Sequence, residues 1–291
     1  MEAEQAKFID TLHSRQCALI LIEGESGTGK SALVNRFKDI ASSENVPSVL
    51  INFRDSSYTP IDIIHLMINL VGKNDCKNLQ QSILDFVQSS NIVIKDNQLS
   101  FGAKLVVEVS SELNQKSQNE RRIWYRQITT SFFDDLAISS TERAVLFLDT
   151  YEQSDDTVSA WVNTHLLPLL GAQNKLQVVI AGQRVPKPDV EWDDIHFKLH
   201  LAGLDLQYWY KYIELRQIKQ INPEWILTLY KVFDGKPAAM ITALDRLTED
   251  LISFSAIDDD KYWALLKTYL QPLSYEERNL ISALSIFHWF E

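Results

Sequence analysis

The sequence predicts an α/β fold in which a parallel sheet is flanked by helices and followed by a small helical domain. Three short apolar runs, at residues 17–22, 144–148 and 175–181, lack the alternation of a half-solvated strand and indicate strands buried on both faces. Segments with helical spacing separate these runs, as expected where helices connect parallel strands. A glycine-rich turn at 24–31 follows the first run and leads into a helical segment. This order of strand, turn and helix is typical of an open α/β sheet.

Length and composition limit what such a fold could do. The chain has 291 residues, 45% of them hydrophobic, which suits one large α/β domain and a smaller companion. Its formal net charge of −11 makes neither nucleic acid nor anionic lipid an expected partner. Cys17 and Cys76 form neither a disulfide framework nor a metal-binding pattern, which favours a reducing, cytoplasmic location. Neither a signal peptide nor a membrane span is predicted, because no long apolar run is present.

The N-terminal part of the chain is predicted to be helical. Residues 1–16 place apolar side chains on roughly one side of a helix. In this position the helix lies either beside a base-binding crevice or simply over the edge of the sheet, and the pattern does not separate the two.

The first chemical landmark is Gly24–Ser31, which matches the phosphate-binding pattern G-x-x-x-x-G-K-S in full. Its backbone N–H groups and the start of the following helix are expected to surround phosphates. Lys30 is expected to reach the β and γ phosphates, and the Ser31 hydroxyl is placed for Mg²⁺. The residues predicted to contact nucleotide are Gly24, Ser26, Gly27, Thr28, Gly29, Lys30 and Ser31. A chance match is the alternative, and the strand and helix on either side argue against it.

The next elements follow from periodicity and end signals. A helix at 32–40, a second buried strand at 48–53 and a helix from Pro60 to Gly72 are predicted in that order. Residues 73–118 are interpreted as an insertion. Within it, Leu79–Val87 has helical spacing, while 91–94 and 103–109 are predicted to be extended segments or a hairpin.

The second chemical landmark follows a predicted helix at 120–138. Ala144–Asp149 is a run of five apolar residues that ends in a carboxylate, so a buried parallel strand would deliver Asp149 to the carboxyl edge of the sheet. Asp149 is therefore predicted to hold Mg²⁺ opposite Ser31, in the Walker B arrangement. Many ATPases place Glu directly after this Asp, but that position is Thr150 here. Glu152 is the candidate for polarising the attacking water, and a solvated loop carboxylate is the alternative.

The last part of the predicted sheet follows a helix at 157–170. Arg184 comes just after the strand at 175–181 and is predicted to contact the γ-phosphate, with an ordinary surface arginine as the alternative. Residues 196–201 alternate like a strand with one solvated face. His196 and His200 share a face of it, but without a third ligand they are interpreted as exposed side chains rather than a metal site.

The order of these motifs resembles the STAND class of signalling ATPases, which are relatives of the NACHT and NB-ARC modules on the AAA+ side of the P-loop proteins. Besides the P-loop, Asp149 and Arg184, the resemblance rests on Leu199–Asp205 running into a helix and on Gly235-Lys236-Pro237 at a helix start. Gly235 ends one predicted helix, at 224–233, and Pro237 starts another. The resemblance implies that Pro237 packs near the adenine. A plain corner between two helices is the alternative.

The resemblance also implies a division into domains. Residues 1–203 would form the P-loop nucleotide-binding domain, 204–270 a helical lid domain, and 271–291 the start of a winged-helix-like domain. This last segment has a capping box at Ser274 and Glu277 and ends in aromatic residues, which normally need a partner surface. The chain is therefore expected to be a fragment of a longer protein.

The function implied is an ATP-binding and slowly hydrolysing molecular switch of a signalling or defence protein, with ATP or ADP and Mg²⁺ as ligands. Protein partners or self-assembly would carry its output. The alternative is a nucleotide-binding scaffold without turnover, which Thr150 at the usual Glu position favours. A metabolic kinase is a third possibility, but no acceptor site is recognisable in the sequence.

Overall fold

The computed structural model describes residues 2–14, 17–72, 74–90, 103–171, 174–188, 192–218, 221 and 223–253. The chain divides into two compact units, with the boundary between Leu201 and Ala202. The predicted extended segment at 91–94 and the winged-helix-like segment at 271–291 lie outside the described residues.

The first unit contains a five-stranded parallel sheet. Its strands are β1 (Leu19–Gly24), β2 (Ser48–Asn52), β3 (Ala144–Asp149), β4 (Leu176–Gly182) and β5 (His196–Leu201). Their spatial order is β2-β3-β4-β1-β5, and every neighbouring pair is parallel. β3 and β4 are buried along their whole length, which confirms the prediction that both are buried on two faces. All carboxyl ends therefore lie at one edge of the sheet, and β4 separates β1 from β3.

Helices cover the sheet and form the second unit. In the first unit they are α1 (Glu2–Ser14), α2 (Lys30–Ser43), α3 (Pro60–Val71), α4 (Lys77–Ser89), α5 (Ala103–Gln115), α6 (Gln118–Ile138), α7 (Asp156–Trp161) and α8 (Leu167–Leu170). In the second unit they are α9 (Leu206–Leu215), α10 (Pro223–Phe233) and α11 (Pro237–Ser253). The helices predicted in the first 90 residues are confirmed within one to three residues at most of their ends. None of the described helices is long and apolar enough to cross a membrane.

α1 belongs to the hydrophobic core on one face of the sheet. Its Phe8 is fully buried and stacks on Phe37 of α2, with ring centroids 4.3 Å apart. Lys7 of the same helix lies above the Phe197 ring of the edge strand β5, 3.2 Å from its centroid. α1 thus covers α2 and the adjoining sheet edge, as the edge-covering interpretation expects.

The prediction of an extended segment at 103–109 is wrong, because α5 occupies these residues. Valines at 106, 107 and 109 favour a strand locally. Leu105, Val106, Val109 and Leu113 nevertheless recur every three or four residues, and all four are buried in the core on the opposite face from α1. Burial of this helical stripe outweighs the weak strand preference of valine, and the exposed Val107 lies off the stripe.

The second unit has a small core of its own, formed by Trp209, Ile226, Met240 and Leu244. Gly235 follows α10 with φ +64°, and its N–H bonds to Tyr230 O. Pro237 then occupies the first position of α11. The expected corner, with glycine ending one helix and proline starting the next, is confirmed.

A buried carboxylate joins two helices of the first unit. The N-cap residue of α4 is Cys76, whose side chain makes no cap hydrogen bond. Asp135 of α6 replaces it, because its two oxygens accept from Asn78 N at 3.0 Å and Leu79 N at 2.8 Å. Asp135 is fully buried, so these N–H groups are the compensation for removing its carboxylate from water.

We expect Asp135→Ala to lower the free energy of unfolding by about 3 kcal/mol, because it removes the acceptor of two helix N–H groups, that of Leu79 buried and that of Asn78 partly buried. Urea unfolding followed by circular dichroism measures this change. Asp134→Ala is the matched control, since the neighbouring carboxylate is exposed, and its expected change is below about 0.5 kcal/mol. Equal losses in both variants would contradict a capping role for Asp135.

Candidate nucleotide-binding site

The P-loop connects the end of β1 at Gly24 with the start of α2 at Lys30. Gly27 and Gly29 have φ values of +81° and +95°, which side chains other than glycine rarely adopt. The Thr28 hydroxyl donates to Glu25 O at 2.9 Å and closes the turn from inside. The chain therefore wraps into a compact loop at the N-terminus of a 14-residue helix. Such a loop presents backbone N–H groups and the positive end of the helix to an anion.

Lys30 is held inside this loop. Its Nζ donates to Gly24 O at 2.8 Å and Glu25 O at 2.7 Å, and only 9% of the residue is exposed. Burial lowers the pKa of Lys30, while the negative charges of Glu152, Asp149 and Glu25 oppose that shift. The structure thus brings the predicted phosphate-binding lysine close to both predicted acidic residues.

Asp149 is the last residue of β3 and is only 3% exposed. One carboxylate oxygen, Oδ1, accepts from Thr150 N at 2.9 Å. The Ser31 hydroxyl and the Asp149 carboxylate offer the hard oxygen ligands that suit Mg²⁺. They fit an ion held mainly by water and phosphate oxygens. The described residues contain no group of three or more His, Cys, Asp or Glu placed to hold a metal by themselves.

Glu152 lies in a 3₁₀ turn (Tyr151–Gln153) that follows β3. Thr150 starts this turn with φ 57° and ψ 42°, a left-handed conformation that is uncommon for a β-branched residue. The turn points Glu152 back to the end of β4, where its Oε2 accepts from Gln183 N at 2.9 Å. A Cβ on Gly182 would lie 2.7 Å from that oxygen, so glycine is what leaves room for this contact.

Arg184 is exposed, two residues beyond the end of β4. Because β4 lies between β1 and β3, this arginine leaves the sheet between the P-loop strand and the Asp149 strand. Its proposed contact with the γ-phosphate stays a prediction. Pro237 belongs to the second compact unit and is partly buried there, and its proposed contact with adenine also stays a prediction.

The sequence reasoning missed two parts of this site. Arg54 follows β2, and its backbone N–H donates to Asn52 Oδ1 at 3.1 Å. Since Asn52 pairs with Asp149 and the Arg54 charge lowers the pKa of Lys30, a second cation lies near the P-loop. The position of Arg54 directly after a predicted buried strand was the available indication. The bond between Glu152 and Gln183 had no indication in the sequence, because its donor is a backbone group.

Three solved structures resemble this fold. They are a STAND protein with a tetratricopeptide repeat sensor from Pyrococcus horikoshii (16% identity, TM-score 0.44, 98% of this chain and 34% of that chain), Cdc6p from Pyrobaculum aerophilum (12%, 0.42, 82% and 58%), and Drosophila ORC bound to DNA (16%, 0.40, 87% and 64%). The chain spans about a third of the first protein's length and less than two thirds of the other two. No curated protein sequence is significantly similar to the chain.

A family model of the AAA domain matches residues 13–184, from the end of α1 to Arg184. This match includes the P-loop, Asp149 and Glu152, which lie at one edge of the sheet. A P-loop of this kind implies a bound nucleotide, typically with Mg²⁺. Since the match covers more than half of the chain, the protein belongs to the AAA family of P-loop NTPases.

Proposed function

We propose that the protein is an ATP-dependent molecular switch of the STAND type, which binds ATP or ADP with Mg²⁺ and hydrolyses ATP slowly. One observation carries this proposal. The charge of Glu152 acts on Lys30, and its carboxylate accepts a hydrogen bond from Gln183 N, directly before Arg184. A change at the phosphates therefore has a short physical path to the segment that carries Arg184.

The residues of the candidate site have separate roles in this mechanism. Lys30 exchanges its carbonyl partners, Gly24 O and Glu25 O, for phosphate oxygens when a nucleotide binds, because its ammonium group gains more from an anion than from neutral carbonyls. Ser31 and Asp149 would hold Mg²⁺, which supplies charge neutralisation at the phosphates. Glu152 orients the attacking water and accepts its proton once the carboxylate leaves Gln183 N.

Switching requires contacts that differ between the two nucleotide states. Arg184 is the proposed group that distinguishes them, since it can bond to a γ-phosphate that only ATP carries. Pro237 is proposed to contact the adenine, which ATP and ADP share. The contact between Pro237 and adenine would then be present with either nucleotide. The contact between Arg184 and the γ-phosphate would be present with ATP alone. Output through protein partners or self-assembly is part of this proposal.

A scaffold that binds nucleotide without turnover is the second candidate. Thr150 occupies the position where many ATPases carry the catalytic Glu, and the remaining carboxylate, Glu152, is engaged by a backbone N–H. Both observations favour a scaffold, because neither residue is placed to act directly as a general base. A scaffold would use the nucleotide for stability alone, through mass action on the folded state.

We expect Lys30→Ala to lower the affinity for ATP by about 100-fold or more, because it removes the fixed cation at the phosphates. Isothermal titration calorimetry measures the affinity, and circular dichroism checks that the variant is folded. Lys38→Ala, on the same helix, is the control and should bind ATP like the wild type. An unchanged affinity in folded Lys30→Ala protein would overturn the P-loop assignment.

Glu152→Gln distinguishes a switch from a scaffold. The amide keeps an oxygen that can accept from Gln183 N but is not a base, so single-turnover hydrolysis of Mg-ATP should fall by about 100-fold or more. The affinity for ATP should change by less than about threefold, since the side chain keeps its shape. If the wild-type protein showed no turnover, or if Glu152→Gln hydrolysed ATP at the wild-type rate, Glu152 would not be the base.

The proposed trigger is tested by comparing ATP and ADP dissociation constants in two variants. Arg184→Ala should weaken ATP binding about tenfold or more and ADP binding much less, because a charge-assisted hydrogen bond contributes roughly 1.5–3 kcal/mol. Pro237→Ala should weaken both nucleotides by similar, smaller amounts, through lost apolar contact and a looser corner. Equal weakening of ATP and ADP by Arg184→Ala would remove the trigger from the mechanism.

A further inference from the structure

A pocket of about 230 Å³ lies between α6 and the segment formed by α7 and the turns after it. All its lining residues belong to the first unit, and none belongs to the P-loop, the Asp149 turn or the exit of β4. The residues that line it are Gln118, Arg121, Arg122, Tyr125, Asp156, Thr157, Ala160, Trp161, Thr164 and His165. The pocket is therefore a separate feature, and neither the fold nor nucleotide binding accounts for it.

The local sequence explains one wall of this pocket. Between α7 and α8, residues Val162–Leu166 form a π-helical segment, in which Leu167 N bonds to Val162 O. Pro168 lacks an N–H, and its ring would collide with Thr164 O in a regular α-helix, so a wider turn is the expected response. Such segments recur at functional sites. Here it places His165, only 7% exposed, on the pocket wall.

The pocket has an apolar floor and a cationic rim. Tyr125 and Trp161 are largely buried, and the indole N–H of Trp161 donates to Thr129 Oγ1 at 2.9 Å, which fixes that ring. Arg121 and Arg122 project from the first two turns of α6, and within the described part of the chain neither guanidinium forms an ion pair. The carboxylate on the rim, Asp156, is exposed.

This charge distribution is unfavourable for the protein alone. Arg121 and Arg122 add positive charge near the positive end of the α6 dipole, where anions are the stabilising groups. Burial lowers the pKa of His165, and the charges of Arg122 and Arg126 lower it further. In a protein of net charge −11, unpaired cations clustered in this way indicate a place for an anion.

We propose that this pocket binds a small organic phosphate, with its phosphate group on Arg121 and Arg122 and its apolar body against Tyr125, Ala160 and Trp161. Two guanidinium charges match the charge of about −1.5 to −2 on a phosphate monoester better than the single charge of a carboxylate. Drug-sized ligands occupy pockets of about 300–1,000 Å³. The smaller volume here suits one ring or a short chain beside the phosphate.

The experiment uses phenyl phosphate as the probe and the imidazole NMR signal of His165 as the readout, assigned with His165→Gln. Saturating Mg-ADP is present to fill the P-loop, and a parallel titration in Lys30→Ala protein removes that site independently. We expect a saturable shift of the His165 signal in both proteins. Benzoate should bind more weakly than phenyl phosphate because of its lower charge, and inorganic phosphate more weakly because it lacks the apolar body.

Arg121→Ala and Arg122→Ala should each weaken phenyl phosphate binding about tenfold or more. Arg126→Ala is the matched control, because this arginine lies one turn further along α6 and does not line the pocket, so that it acts there through its charge alone. It should bind within about twofold of the wild type. Absence of a saturable shift at millimolar phenyl phosphate would overturn the proposal. Unchanged binding in both pocket variants, or tighter binding of benzoate or inorganic phosphate, would overturn it as well.

Discussion

All five strands of the sheet run in the same direction, and the site depends on this constraint. In a parallel sheet the carboxyl ends of all strands lie at one edge. Residues that follow different strands therefore come close together there, although they are far apart in sequence. The P-loop after β1, Asp149 after β3 and Arg184 after β4 share that edge for this reason. The same constraint brings Arg54, after β2, into the electrostatic surroundings of Lys30. The loops after four of the strands thus meet at one edge of the sheet.

Within that edge, Glu152 connects elements that the backbone leaves separate. β4 lies between β1 and β3, so a residue after β3 reaches the P-loop only across the end of β4. Gly182 leaves the space for Glu152 to lie there, and Gln183 N supplies the hydrogen bond. The left-handed Thr150 turns the chain towards this position. Backbone conformations of this kind cost free energy and often occur at functional sites. Glu152 therefore lies where its charge acts on Lys30 and its carboxylate accepts a hydrogen bond from the residue after β4.

The opposite edge of the sheet is stabilised by a different device. Arg143 directly precedes β3 and is only 5% exposed. Its guanidinium donates to Thr11 O at 3.3 Å and to Cys17 O at 2.9 Å. The fully buried Gln177 in β4 also donates to Thr11 Oγ1, at 3.1 Å. Two of these bonds go to carbonyl groups, in the last turn of α1 and just before β1, and the third goes to the Thr11 hydroxyl. These hydrogen bonds thus link α1, β1 and β4 at one edge of the sheet, while the candidate site residues lie at the opposite edge.

The sequence by itself determined the elements whose signals are local. An uninterrupted apolar run predicts a strand buried on both faces, and a Gly-rich turn before Lys30 predicts a phosphate loop, because both depend on neighbours in the chain. Local signals of this kind also predicted most helices, the corner at Gly235 and Pro237, and the acidic end of β3.

The tertiary structure decided what depends on distant partners. It made 103–115 a helix, because only packing against the core could outweigh the preference of valine. It also bonded Glu152 to a backbone N–H 31 residues away and placed Arg121 and Arg122 on the rim of a pocket with an apolar floor. Contacts of this kind involve backbone groups and shapes that leave no pattern in the order of residues.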